Sequence, residues 1–184
     1  MKKILSLLLA CTLAMSVLAG CGSSGSGTAA NAITAKDGLA EGKLGDTFAT
    51  KWFNWTATGA ELADSYGTLK AGDGCTYLIV HATVENTFGE EVPMYANDFQ
   101  LIWGDGDDDN ARPLNGLLDL NTQKEMFPTE YALAKGETRT GDSVFKVPAG
   151  ITSFGYAFCE YLEDGSEGDV FVVYFDVNGT DQAA

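Results

Sequence analysis

The sequence predicts an all-β, two-sheet sandwich. Three observations carry that prediction. Apolar runs are short and separated by Gly- and Asp-rich turns, and no stretch sustains a 3.6-residue apolar period over three turns. The segment Tyr77 to Asn86 alternates strictly, with Leu78, Val80, Ala82 and Val84 at every second position. Two facing sheets are also the arrangement that buries ten phenylalanines and three tryptophans in a chain with little helical patterning.

The chain opens outside that pattern. Lys2 and Lys3 precede an apolar run from Ile4 to Val17, which ends in Leu18-Ala19-Gly20-Cys21. This layout resembles a bacterial lipoprotein signal peptide over residues 1–20, in which the cysteine thiol is acylated and becomes the first residue of the mature protein. The resemblance implies lipid attachment at Cys21 and a position on the outer face of the cytoplasmic membrane. The apolar run is short for a membrane span and is broken by Ser6, Thr12 and Ser16.

Residues 21–43 read as the lipidated cysteine and a tether, opening with Gly22-Ser23-Ser24-Gly25-Ser26-Gly27. About 20 residues of such chain reach roughly 25 Å, enough to lift a small domain clear of headgroups. The folded unit is expected over residues 44–178, with 179–184 as a tail.

Its strands follow in order. Thr47 to Thr50 and Trp52 to Leu62 come first, with Phe53, Trp55 and Ala57 facing the core and Trp52, Asn54 and Thr56 facing out. After the turn Ala71-Gly72-Asp73-Gly74 comes Tyr77 to Asn86, then Asp98 to Trp103 and a short piece at Ala111 to Leu114. The stretch from Leu117 to Glu137 reads as a long loop, with room for one helical turn before Pro128. Arg139 to Val147, Thr152 to Leu162 and Asp169 to Val177 close the domain, giving seven or eight strands. In the last strand Phe171, Val173, Phe175 and Val177 share the core phase, while Val170, Val172 and Tyr174 make the opposite face apolar too.

The formal charge is −15, and the loss of Lys2 and Lys3 makes the exported part more acidic still. Nucleic acid is therefore not an expected partner, and attachment to anionic headgroups would come from the lipid instead of from a basic patch.

With Cys11 removed and Cys21 acylated, Cys75 and Cys159 remain. A disulfide between them would stabilise an exported domain by up to ~4.5 kcal/mol, and two buried thiols are the equal alternative. Neither lies in a Cys-x-x-Cys motif.

The densest chemical feature is Gly104 to Asn110, where Asp105, Asp107 and Asp109 alternate as the early ligands of a calcium loop do. The EF-hand pattern fails at Asn110, where glycine is needed, and at Gly116, where a bidentate glutamate belongs. The competing reading is a solvated hairpin turn, since Asp, Asn and Gly favour such turns. Calcium is the cofactor the loop would take if it takes one.

Trp52, on the outward phase, and Trp103, beside the acidic loop, would supply a platform for sugar rings; ordinary packing is the alternative. Enzymatic activity is not expected. His81, the sole histidine, shares an outward phase with Tyr77, Ile79 and Thr83 and has no serine or cysteine nucleophile tied to it by motif. Carboxylates such as Glu160, Glu163 and Asp164 are too numerous in this chain for a pair to be diagnostic of glycoside hydrolysis.

The segment Tyr77 to Thr87, with Asp98-Phe99-Gln100-Leu101 and the later Gly141 through Val144-Phe145-Lys146-Val147-Pro148, resembles the immunoglobulin-like domain of unknown function common in lipoproteins of Gram-positive bacteria. That family is similar in fold to small secreted mycobacterial antigens. The resemblance covers about residues 45 to 178 and implies an immunoglobulin-like sandwich at the cell surface, with no catalytic residues to carry over. The expected role is that of a non-catalytic module recognising protein or envelope components. A carbohydrate or cell-wall ligand, bound with the help of calcium, is the alternative.

Overall fold

The structure, a computed structural model, describes residues 31–115, 125–162 and 164–177. The lipobox, Cys21, Glu163 and the tail lie outside the described residues, as do residues 116–124.

The strands are β1 (Leu39–Gly42), β2 (Thr47–Ala49), β3 (Phe53–Ala63), β4 (Ser65–Tyr66), β5 (Leu69–Lys70), β6 (Cys75–Asn86), β7 (Val92–Tyr95), β8 (Phe99–Ile102), β9 (Asn110–Ala111), β10 (Glu130–Leu133), β11 (Thr138–Pro148), β12 (Ser153–Tyr161) and β13 (Glu167–Asp176). One sheet has the order β11-β6-β3-β2 and the other β1-β13-β12-β8-β9. Every pairing in them is antiparallel except that of β1 with β13. Two small ribbons, β4 with β5 and β7 with β10, flank the sandwich.

The period-2 pattern sets which side chains meet between the sheets. Phe53, Trp55 and Ala57 of β3 and Leu78, Val80, Ala82 and Val84 of β6 are buried against Phe99, Tyr156, Phe158, Phe171 and Val173 of the other sheet. Phe48 and Trp55 stack at 4.9 Å, and Phe99 and Tyr156 stack at 5.2 Å. Truncating a fully buried aromatic such as Trp55 to alanine costs roughly 3–5 kcal/mol in comparable cores. Tyr156 brings a hydroxyl into this apolar layer, where it shares a 2.9 Å hydrogen bond with Ser143.

A second, smaller core lies on the outer face of the first sheet. Tyr77 and Ile79 of β6 and Val144 of β11 pack there with Tyr66, Ala71 and Met126. The β4–β5 hairpin and the chain around Met126 therefore cover part of a face that would otherwise meet water.

Several expectations change. The fold begins well before residue 44: Ile33 bridges Phe48 and packs on the main core, and Leu39–Gly42 extends the second sheet through β13. The expected long loop contains β10, which pairs with β7, and Phe127 is buried in the main core. The two main sheets hold nine strands among the described residues, where seven or eight were expected.

Cys75 and Cys159 do not pair with each other. Cys75 packs in the outer cluster of the first sheet, while Cys159 follows the core residue Phe158 in the second sheet and so takes its outward phase. The two side chains leave the sandwich on opposite sides, separated by both sheets, beyond the reach of a disulfide.

Candidate functional site

At one end of the sandwich a groove of about 440 Å³ opens between the sheets. Beside the end of β12, which contributes Phe158 and Tyr161, its walls come from three short segments, each fixed by a single polar side chain.

The first is the turn from β2 into β3. Thr50 Oγ1 accepts the Trp52 and Phe53 amides at 3.1 and 3.0 Å and donates to the Phe53 carbonyl at 2.7 Å. The Lys51 amide reaches across to Glu160 of β12 at 2.6 Å, joining the turn to the other sheet. Trp52 is thereby held at the groove wall, with Phe88 T-shaped against it at 4.9 Å and the Lys51 ammonium 4.5 Å from its ring centroid.

The second is the loop after β6. Asn86 is buried, and its Nδ2 donates to the carbonyls of Glu90 and Leu133, both at 2.8 Å, while its Oδ1 accepts the Phe88 amide at 2.8 Å. One amide side chain thus spends its hydrogen-bonding capacity on the loop that presents Phe88.

The third is β7 and the single 3-10 turn Ala96–Asp98 that follows it. Asp98 Oδ2 accepts the Tyr95 amide at 3.1 Å. Burial raises the Asp98 carboxyl above its ordinary range, opposed by that hydrogen bond. Tyr95 and Tyr161, exposed at 42% and 53%, stand at the rim as the exposed large apolar side chains of the described domain. A register shift between Cys159 and Tyr161 ends the regular pairing of β12 beside this groove, a common use of bulges. Burial, with Cys159 and Glu167 adding to it and Arg112 opposing, holds the Tyr161 hydroxyl above its usual pKa, so it remains a neutral hydrogen-bond donor.

A second cleft of about 430 Å³ lies elsewhere, lined by Trp103, Asp105, Ser153, Tyr174 and Asp176 among others. Trp52 and Trp103 therefore serve different clefts and do not form one platform.

The acidic segment forms the turn joining β8 to β9. Asp109 Oδ2 accepts the Gly106 amide at 2.9 Å, and Asn110 Nδ2 donates to the Asp107 carbonyl at 2.7 Å. A Cβ at Gly104 would sit 2.1 Å from Asp109 Oδ2, so any other residue there would have to displace the Asp109 carboxylate. Asp105, Asp107 and Asp109 are not drawn together: among the described residues no three His, Cys, Asp or Glu side chains converge as a metal site.

A constellation that sequence reasoning missed lies on the outer face of the first sheet. Asp142 of β11 is buried and accepts His81 Nδ1–H and Tyr66 O–H, each at 2.7 Å. The only local signal was the outward phase of His81, since its partner is 61 residues away. Tyr66 donates to the carboxylate and not to the imidazole, so the set lacks the nucleophile-to-base link of an acyl-transfer triad.

A β-sandwich with an aromatic groove at one end defines a class of small domain without defining a ligand. The chain belongs to the family of the domain of unknown function DUF4352, whose model matches residues 42–168, from the end of β1 to the start of β13. It is similar in structure to a "putative lipoprotein" (ycdA) of Bacillus subtilis, with a TM-score of 0.56, 16% identity, and coverage of 74% of this chain and 39% of that one. The chain thus spans well under half the length of that protein. It is also similar to the yjhA protein of Bacillus subtilis, with a TM-score of 0.54, 19% identity, and coverage of 74% and 99%. At these identities the likeness concerns the fold. No curated protein matches the chain. No helix among the described residues is long and apolar enough to cross a membrane.

Proposed function

We propose that the protein is a lipid-anchored, extracytoplasmic, non-catalytic module that binds a protein component of the envelope in the Trp52–Tyr161 groove. The observation that carries this reading is the placement of exposed Tyr95 and Tyr161 at the rim of an apolar groove whose walls are fixed by Thr50, Asn86 and Asp98. Tyrosine at a rim supplies contact area and a hydrogen bond at low entropic cost, which suits recognition of another protein. The lipobox supports the anchor, and the resemblance to a "putative lipoprotein" adds indirect support.

Hydroxyl-radical footprinting tests the reading by comparing intact cells with purified protein. Tyr95 and Tyr161 should be protected on cells while exposed residues of the acidic turn are not; equal reactivity of both tyrosines in the two states would contradict it. Loss of labelled-lipid incorporation in Cys21→Ser tests the anchor.

A second reading rests on the other cleft, where Trp103 stands among Asp105, Ser153 and Asp176, a ring face beside polar groups that suits a sugar. Calcium at the neighbouring acidic turn belongs to that reading. Glycan arrays with and without calcium, compared with Trp103→Ala, test both parts.

A further inference from the structure

We propose that the Trp52–Tyr161 groove is a cation-recognition site that takes a lysine or arginine side chain from an exposed segment of a partner protein. The inference rests on the protein-binding reading above and specifies its chemistry.

The groove combines aromatic rings, among them Trp52, Phe88, Tyr95 and Tyr161, with two carboxylates, Glu91 and Asp98. Aromatic faces attract cations through the ring quadrupole, and do so more strongly where water is thinned out. Neither carboxylate has a cationic partner among the described residues: the two ion pairs found there are His81–Asp142 and Arg139–Glu137. Asp98 is only partly exposed, so its charge is incompletely hydrated and gains from a cation brought in from outside.

The molecule already shows the preference. Lys51 lays its ammonium against the Trp52 ring, 4.5 Å from the centroid. Lys51 itself does not line the groove, and an ammonium or guanidinium entering there would find rings of the same kind together with the acidic pair.

The rest of the lining favours a side chain over a free ion. Most of the groove surface is apolar, which suits the methylene stem of lysine or arginine while the head meets the carboxylates. Its volume lies within the usual range of ligand sites. The formal charge of −15 would draw a basic segment toward the domain and turn away anionic envelope polymers.

The test uses full-length protein in detergent micelles and a random linear-peptide display library as the probe. Recovered peptides should carry lysine or arginine beside an apolar residue. Replacing the lysine by norleucine should weaken binding about tenfold or more, and the double variant Glu91→Gln, Asp98→Asn should do the same while unfolding at no lower temperature than the parent. Peptides that are lost with Tyr161→Ala but ignore both charge changes would overturn this inference and leave the protein-binding reading standing. Recovery of no peptide, of peptides indifferent to Tyr161→Ala, or of groove-dependent glycans alone on an array would overturn both.

Discussion

Asp142 and His81 face each other across the β6–β11 pair, with the imidazole Nδ1 2.7 Å from Asp142 Oδ1. The other carboxylate oxygen accepts the Tyr66 hydroxyl from the β4–β5 hairpin. The Asp142 backbone accepts the Phe127 amide at 3.0 Å and donates to the Glu125 carbonyl at 2.8 Å, and buried Asn115 donates to the Asp142 carbonyl at 2.9 Å. One residue thus fastens three separate segments onto the first sheet. Asp142→Ala strips two donors of their acceptor and should destabilise the fold by about 2 kcal/mol, read from urea unfolding. A loss below about 0.5 kcal/mol, the size of an ordinary surface substitution, would show that these bonds contribute little.

Asp98 should trade stability for its place in the groove. The folded state holds its proton more tightly than the unfolded chain, so the ionised carboxylate weakens the fold above its folded pKa. That weakening disappears as pH falls below the ordinary carboxylate range. Asp98→Asn keeps an acceptor for the Tyr95 amide and should therefore melt at a higher temperature than the parent at neutral pH, with the gap closing in acid. A lower melting temperature at neutral pH would reverse the assignment.

The Phe127 ring lies directly against Gly141 of β11. A Cβ there would sit 2.9 to 3.1 Å from three atoms of that ring, and the ring is itself stacked on Tyr131. Gly141→Ala should cost about 1–3 kcal/mol through overpacking, whereas an alanine at Gly89, which meets nothing within 4 Å, should be near neutral. Equal effects at the two sites, measured by thermal unfolding, would remove the packing argument.

Cys75 and Cys159 project from opposite outer faces, so no bridge joins these two residues. The melting temperature should be the same with and without reductant, and Cys75→Ser should leave it equally insensitive to reductant. A fall on reduction would require the β6 and β12 faces to be arranged otherwise.

Much of the sandwich was legible because the period-2 phase of β3, β6 and β13 picks out residues that face the main core, with Trp55, Val80 and Val173 where the alternation assigns them. β1 escaped notice although its signal was present: Asp37-Gly38 forms a tight turn with both φ values positive, and Lys36 and Leu39 bond across it. The pairing of β7 with β10 had no local signal, since each is four residues long and the two are distant in sequence. Asn54 shows a limit of alternation, being on the outward phase yet only 2% exposed. The groove was half legible. Trp52 stood out by residue type, but the tyrosines and carboxylates around it come from the residue before β7, β7 itself, the turn after it and the far end of β12, and only the fold brings them together.

Whether this groove meets a protein at the cell surface decides the proposed role. Its most direct measurement is site-specific photocrosslinking in living cells, with the photoreactive residue placed at Tyr161 in one strain and at Thr83, on the outer face of the first sheet, in another. Position 161 should give a discrete protein adduct that competes with a basic peptide and is absent from position 83. The same adducts from both positions, or from neither, would contradict that role.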